Sequence, residues 1–215
     1  ITGQALLRAV RAARDIDVEG ANEALELIRG TQPGLDHWAE AIRTAEEISR
    51  LSPLRRAAEP EIAAHRTGQP AIDRCVRNLR VALRRVVAAV EDADAARRSA
   101  PAPAHLDPDP DPAPAPAPAP DHPALSDGVL EILADVAAVL RTVPAALIDT
   151  GGEGGEGGRH ATYALLNLAR RLDADRLGAT TMSATVVVAQ VRSAVVDLLQ
   201  LPGVPDRRRQ DVLPG

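Results

Sequence analysis

Few residues of this chain carry the chemistry of a catalyst, and their spacing works against them. The histidines are His37, His65, His105, His122 and His160. None falls into an HExxH motif or beside a cysteine, the arrangements that let imidazoles share a zinc ion. Cys75 is the single cysteine, which excludes an internal disulfide framework and a cysteine-based zinc cluster. It lies close to an apolar helical seam and reads as a small apolar residue. A serine nucleophile needs a base within hydrogen-bond reach, and neither Ser183 nor Ser193 has a histidine at useful spacing. The run GGEGGEGG at 151–158 invites comparison with a phosphate loop. It lacks the GK[ST] ending, and Glu153 and Glu156 would repel phosphate, so a flexible loop is expected. The sequence predicts no catalytic, metal-binding or cofactor-binding residue, and no enzyme.

One constellation resists a bland reading. Arg74, Arg77, Arg80 and Arg84, with Arg85 beside them, form a basic stripe along one helical segment. At 100° per residue they fall roughly opposite the apolar positions of that segment. The expected role is a solvated face paired with acids such as Glu40, Glu46 and Glu47. The functional alternative is contact with an anionic membrane surface, where each Arg contributes about 1 kcal/mol. Four such residues matter only on a domain already tethered there. The stripe is the one possible interaction surface the sequence offers.

The elements that position these residues are helical. There is no Phe, one Trp and one Tyr, so a core must be built from Leu, Val, Ile and Ala. Such side chains suit close helix packing, whereas sheets usually draw more on aromatics. The spacing predicts helices near 3–16, 20–29 and 34–51, the last on Leu35, Trp38, Ile42, Ala45 and Ile48. Gly30 is expected as a left-handed C-cap. Ser52 and Pro53 read as the start of a short helix, kinked or ended by Pro60. Gly68 and Pro70 punctuate again. A long helix then runs from 70 to about 98 on the seam Ile72, Val76, Leu79, Leu83, Val86 and Val90, a rod of about 42 Å.

From about 99 to 124 alternating prolines and alanines remove backbone donors and favour extended chain, so disorder is expected. Helical pattern resumes at 126–149 with Ser126 as candidate cap and Val129, Leu133, Val136, Leu140, Val143 and Leu147 as its seam. Pro144 is expected to kink its last turn. Further helices are predicted near 159–174 and 180–200. The run Thr185 to Val188 could be a strand on propensity alone, but Val191, Val195 and Leu198 continue a helical period. The fold class is therefore all-α: an antiparallel helical bundle with long helices, interrupted by a disordered Pro/Ala-rich insert. Residues 1–99 form its first part, 100–125 a linker, 126–200 helices packing back on the first part, and 201–215 a flexible tail.

A net charge of −5 argues against a nucleic-acid partner, which needs a basic surplus to displace counterions. The longest uncharged run, Leu177 to Val191, is shorter than the ~18–20 residues that span a bilayer. The opening at Ile1, without Met, signal peptide or polybasic start, is read as the edge of a longer protein.

Three stretches carry a family resemblance: LSPLRR at 51–56, DRCVRNLRVALRR at 73–85 and SATVVVAQVRSAVVDLLQLPGV at 183–204. In order and separation they resemble the cytoplasmic C-terminal region of actinobacterial FUSC-type membrane proteins, the fusaric-acid-resistance-like or aromatic acid exporters. The opening helix and the pair of helices at 20–50 also fit. The resemblance implies a transmembrane bundle before Ile1 and a place on the cytoplasmic side of the cell membrane. It further implies export of small organic (aromatic) acids by the whole protein. This region would serve assembly or regulation, with its own transmembrane domain, a second copy or an anionic membrane surface as partner. No substrate-binding residue carries over. The alternative from the residues alone is a free-standing helical adaptor that binds other proteins.

Overall fold

The computed structural model describes residues 1–51, 58–100, 124–143 and 156–201, with side chains in the last range from 160 onward. These residues build an all-α bundle and contain no strand. The helices are α1 (Thr2–Asp15), α2 (Val18–Arg29), α3 (Gln32–Leu51), α4 (Glu59–Ser99), α5 (Asp127–Leu140), α6 (Glu156–Arg171) and α7 (Met182–Leu198). Among the described residues no helix is long and apolar enough to cross a membrane.

The turn from α1 to α2 is set by two residues the sequence pattern did not single out. Ile16 caps α1 in the left-handed region, at φ 52° and ψ 45°. That conformation costs a β-branched residue roughly 1–2 kcal/mol. The Ile16 side chain is buried, and burial of an isoleucine contributes about 1.5–3 kcal/mol. Burial outweighs strain. Asp17 then opens α2, its carboxylate accepting the Gly20 amide at 2.9 Å, which satisfies one orphan donor of the first turn. Gly30, expected to be left-handed, is right-handed at φ −63° and ψ −6°. The Gly30 amide donates to the Glu26 carbonyl at 2.9 Å, and Thr31 Oγ1 donates to the Ile28 carbonyl at 2.7 Å, so the end of α2 is satisfied without a left-handed residue.

The largest departure from expectation is α4, a single helix of 41 residues that passes through both Gly68 and Pro70. At 1.5 Å per residue it is a rod of about 62 Å. Pro60 stands in its first turn, where the missing amide proton costs nothing, so it starts the helix rather than kinking one. Pro70 lies in the interior, where proline costs about 3 kcal/mol. Packing on both sides of it keeps the helix continuous. Toward its start α4 is flanked by α3, with Trp38 edge-on to His65 (centroids 5.9 Å apart, planes at 83°) and Arg66 bonded to Glu46 at 2.9 Å. Beyond Pro70 the seam Val76, Leu79, Leu83, Val86 and Val90 is buried, as expected. Gln32 reaches Asp73 while Trp38 meets His65, so α3 and α4 run antiparallel. The expected helix start at Ser52 and Pro53 lies outside the described residues.

In the second half, α5 buries Val129, Leu133 and Val136 of its expected seam. Ser126 holds the N-cap position, but its hydroxyl makes no capping bond and donates to the Leu177 carbonyl at 2.6 Å. Gly128 sits against the same segment, where a Cβ would stand 2.8 Å from the Leu177 carbonyl oxygen. The start of α5 is thereby pinned to the turn between α6 and α7. Pro144, Leu147 and residues 101–123 lie outside the described residues. The end of the expected linker is ordered: Leu125 is buried and the Ala124 amide donates to the Ala13 carbonyl at 3.3 Å. The glycine run was expected to be loop to residue 158, but α6 begins within it, at Glu156. Thr181 caps α7, accepting the Ala184 amide at 3.1 Å, and Thr185 to Val188 are helical.

Buried side chains from both halves form one cluster, with α4 against α7 and α1 against α2 and α5. Its largest fully buried members are aliphatic, among them Leu6, Ile28, Leu79, Leu83, Leu130 and Leu133. Trp38 is only partly buried and Tyr163 is exposed, so the core is built without an aromatic at its centre. Helix α3 contributes no buried residue.

Candidate functional site

The arginine stripe divides along α4. Arg74 faces α7, where its Nε donates to Asp197 Oδ1 at 2.9 Å and its Nη2 to Gln200 Oε1 at 2.6 Å. Asn78, one turn on, donates to Asp197 Oδ2 at 2.8 Å. Asp197 is buried at 7% exposure, so both its oxygens are held by α4. A buried carboxylate without donors would cost several kcal/mol, and this pair of donors is what makes Asp197 tolerable there. The α4–α7 packing therefore carries a polar lock inside an otherwise aliphatic contact. Sequence reasoning missed Asp197. The available signal was one acid in the apolar stretch AVVDLL at 194–199, since an acid on a packed face implies a donor on the neighbouring helix.

Arg77 donates to Asp73 at 2.9 Å within its own helix. Arg80 is partly buried, and its Nε and Nη2 find no hydrogen-bond partner among the described residues. Arg84 and Arg85 are exposed. Two of the three acids expected to pair with the stripe are engaged elsewhere, Glu40 with Arg43 and Glu46 with Arg66. Asp73 and Asp197 take that role instead. The reason is geometric, because Glu40 and Glu46 lie on the part of α3 that flanks the start of α4, before the stripe begins. A shallow hollow of about 510 Å³ lies over this region, lined by Arg74, Arg77, Asn78, Arg192, Ser193, Val196 and Asp197. Its arginines stand beside the Asp197 carboxylate, so the hollow is not a simple concentration of positive charge. Among the described residues Arg80, Arg84 and Arg85 have no acidic partner, and of these Arg84 and Arg85 are the exposed ones.

Cys75 lies in the same turn of α4, fully buried. Burial in apolar surroundings, and secondarily the negative charge of Asp197, push its thiol far above the usual range. It is held as the neutral thiol, the unreactive form. His65 is committed to the Trp38 edge contact, and its Nδ1 is buried without a hydrogen-bond partner among the described residues. His105 and His122 lie outside the described residues. Among the described residues no three His, Cys, Asp or Glu side chains converge in a way that could hold a metal ion.

No family model matches the chain, and no curated protein or solved structure matches it either.

Proposed function

We propose that this chain is a non-catalytic helical assembly domain, working as the cytoplasmic appendage of a FUSC-type membrane exporter of small organic acids. The resemblance of the stretches at 51–56, 73–85 and 183–204 supplies the family. The observation that carries the assembly role is α3: a helix of 20 residues that buries none of them in the core. Leu35 and Trp38 only lean on the core, and Ile48 and Leu51 are 40% and 85% exposed. An amphipathic helix left this open is suited to contact with another body, such as the transmembrane part or a second copy.

The exposed pair Arg84 and Arg85 supports a second contact, with the anionic leaflet to which the exporter would hold this domain. Each contributes about 1 kcal/mol near such a surface, so both together are worth roughly 2 kcal/mol, a factor of about 30. The test uses the full-length protein in native membranes. It is expected to sediment with them after alkaline washing. Deleting residues 1–215 should leave it inserted but lower its assembled fraction and its export rate. A full-length product recovered in the soluble fraction would favour the free-standing adaptor and end this reading.

A further inference from the structure

A second hollow, more enclosed and more apolar than the one beside Asp197, opens where α1, α3, α4, α5 and α7 converge. Its volume is about 510 Å³, within the range of small-molecule sites. Several of the large apolar residues that the core covers only in part gather here. Leu7, Trp38, Ile72 and Leu140 pack against the core cluster yet stay partly exposed, and all four line this cavity. Helices α1, α3, α4 and α5 thus each leave part of an apolar side chain uncovered around one space. Buried Val76 and Leu198 form part of its wall.

Among its lining residues Arg141 carries the one charged side chain, Ile1 adds the α-amino group of the chain, and none is Asp or Glu. Arg141 is exposed and has no ion-pair partner among the described residues. Arg74 and Arg77, in contrast, already hold carboxylates. An apolar chamber edged by the Arg141 guanidinium and the Ile1 amino group, with no acid to match them, is complementary to a molecule with an apolar body and one anionic end. The planar fork of Arg suits a carboxylate, which it can hold through two parallel hydrogen bonds.

We propose that this cavity binds a small single-tailed carboxylate, its apolar tail among Leu7, Trp38, Ile72 and Leu140 and its carboxylate on Arg141. The inference does not depend on the exporter reading, since it rests on the cavity alone. Occupancy would join α3 to the ends of α1, α5 and α7, coupling a ligand to the helix that the core leaves open.

The chain provides its own probe, because Trp38 is the single tryptophan and lines the cavity. Trp38 emission is followed while the 215-residue chain is titrated with decanoate and, separately, with uncharged 1-decanol. Decanoate is expected to shift the emission in a saturable way, with decanol binding more weakly. Arg141→Gln should weaken decanoate about tenfold and leave decanol unchanged. Leu7→Phe and Ile72→Phe fill the space from positions that are not fully buried, and each should weaken both ligands while circular dichroism confirms a folded chain. The absence of saturable binding overturns the proposal. So does decanoate binding that Arg141→Gln leaves intact, or binding that survives both filling variants in folded protein.

Discussion

Replacing Asp197 by alanine separates the two donors that hold it, and the structure says which one matters more. Arg74 has a side chain 45% exposed and a second acceptor in Gln200, so it can turn to water when Asp197 is removed. Its ion pair is therefore worth at most about 1 kcal/mol, as partly exposed pairs are. Asn78 is partly buried and depends on Asp197 Oδ2. An amide donor left there without an acceptor costs about 1–3 kcal/mol. Together these give a loss of roughly 2–3 kcal/mol for Asp197→Ala. Urea denaturation followed by far-UV circular dichroism measures it, and two double-mutant cycles apportion it. The coupling of Asp197 to Asn78 should exceed the coupling of Asp197 to Arg74. A loss below about 0.5 kcal/mol, or the opposite order of couplings, would refute the reasoning that exposure discounts the arginine.

Other consequences follow from burial and close contact. Leu79→Asp removes about 1.5–3 kcal/mol of burial and adds an unpaired charge at a fully buried site, so the chain should lose its cooperative melting transition. Gly128→Ala places a methyl 2.8 Å from the Leu177 carbonyl oxygen, and the forced shift should cost about 1–3 kcal/mol in the same denaturation assay. Cys75 gives a pH dependence of definite sign. Its folded-state value is raised above the ordinary 9.0, so its contribution is fully present below that pH and is lost as pH rises beyond it. The loss is about 1.4 kcal/mol per pH unit, and the wild type should fall further than Cys75→Ala between about pH 8 and about pH 10. Native protein should also resist a thiol reagent that modifies it in urea.

The helical seams were legible because periodicity reports directly on which face is buried. Val76 to Val90 and Val129 to Val136 needed nothing beyond spacing to be placed inside. Breaks were less legible, because a local cost does not reveal what opposes it. Pro70 penalises a helix wherever it stands, and only the packing of α4 on its neighbours shows that the penalty is overcome. Ile16 has the wrong side chain for a left-handed cap, and only its burial explains it. The candidate site was the least legible part. Arg74 and Asp197 are far apart in sequence and meet only once α7 folds onto α4, so no spacing rule joins them. The stripe itself was read from 100° periodicity, yet its members differ: Arg74 and Arg77 are paired, Arg80 is half-hidden, and Arg84 and Arg85 are open. The cavity beside Trp38 could not be read at all, since its walls come from five helices that only the fold brings together.

The central claim is that this helical bundle serves a membrane protein by contact rather than by catalysis. The most direct measurement is the reading frame that encodes the chain, determined upstream of Ile1. The account predicts several apolar runs of about 20 residues, each long enough to span a bilayer as a helix, before Ile1 is reached. A start codon close to Ile1, with no such run before it, would contradict the account.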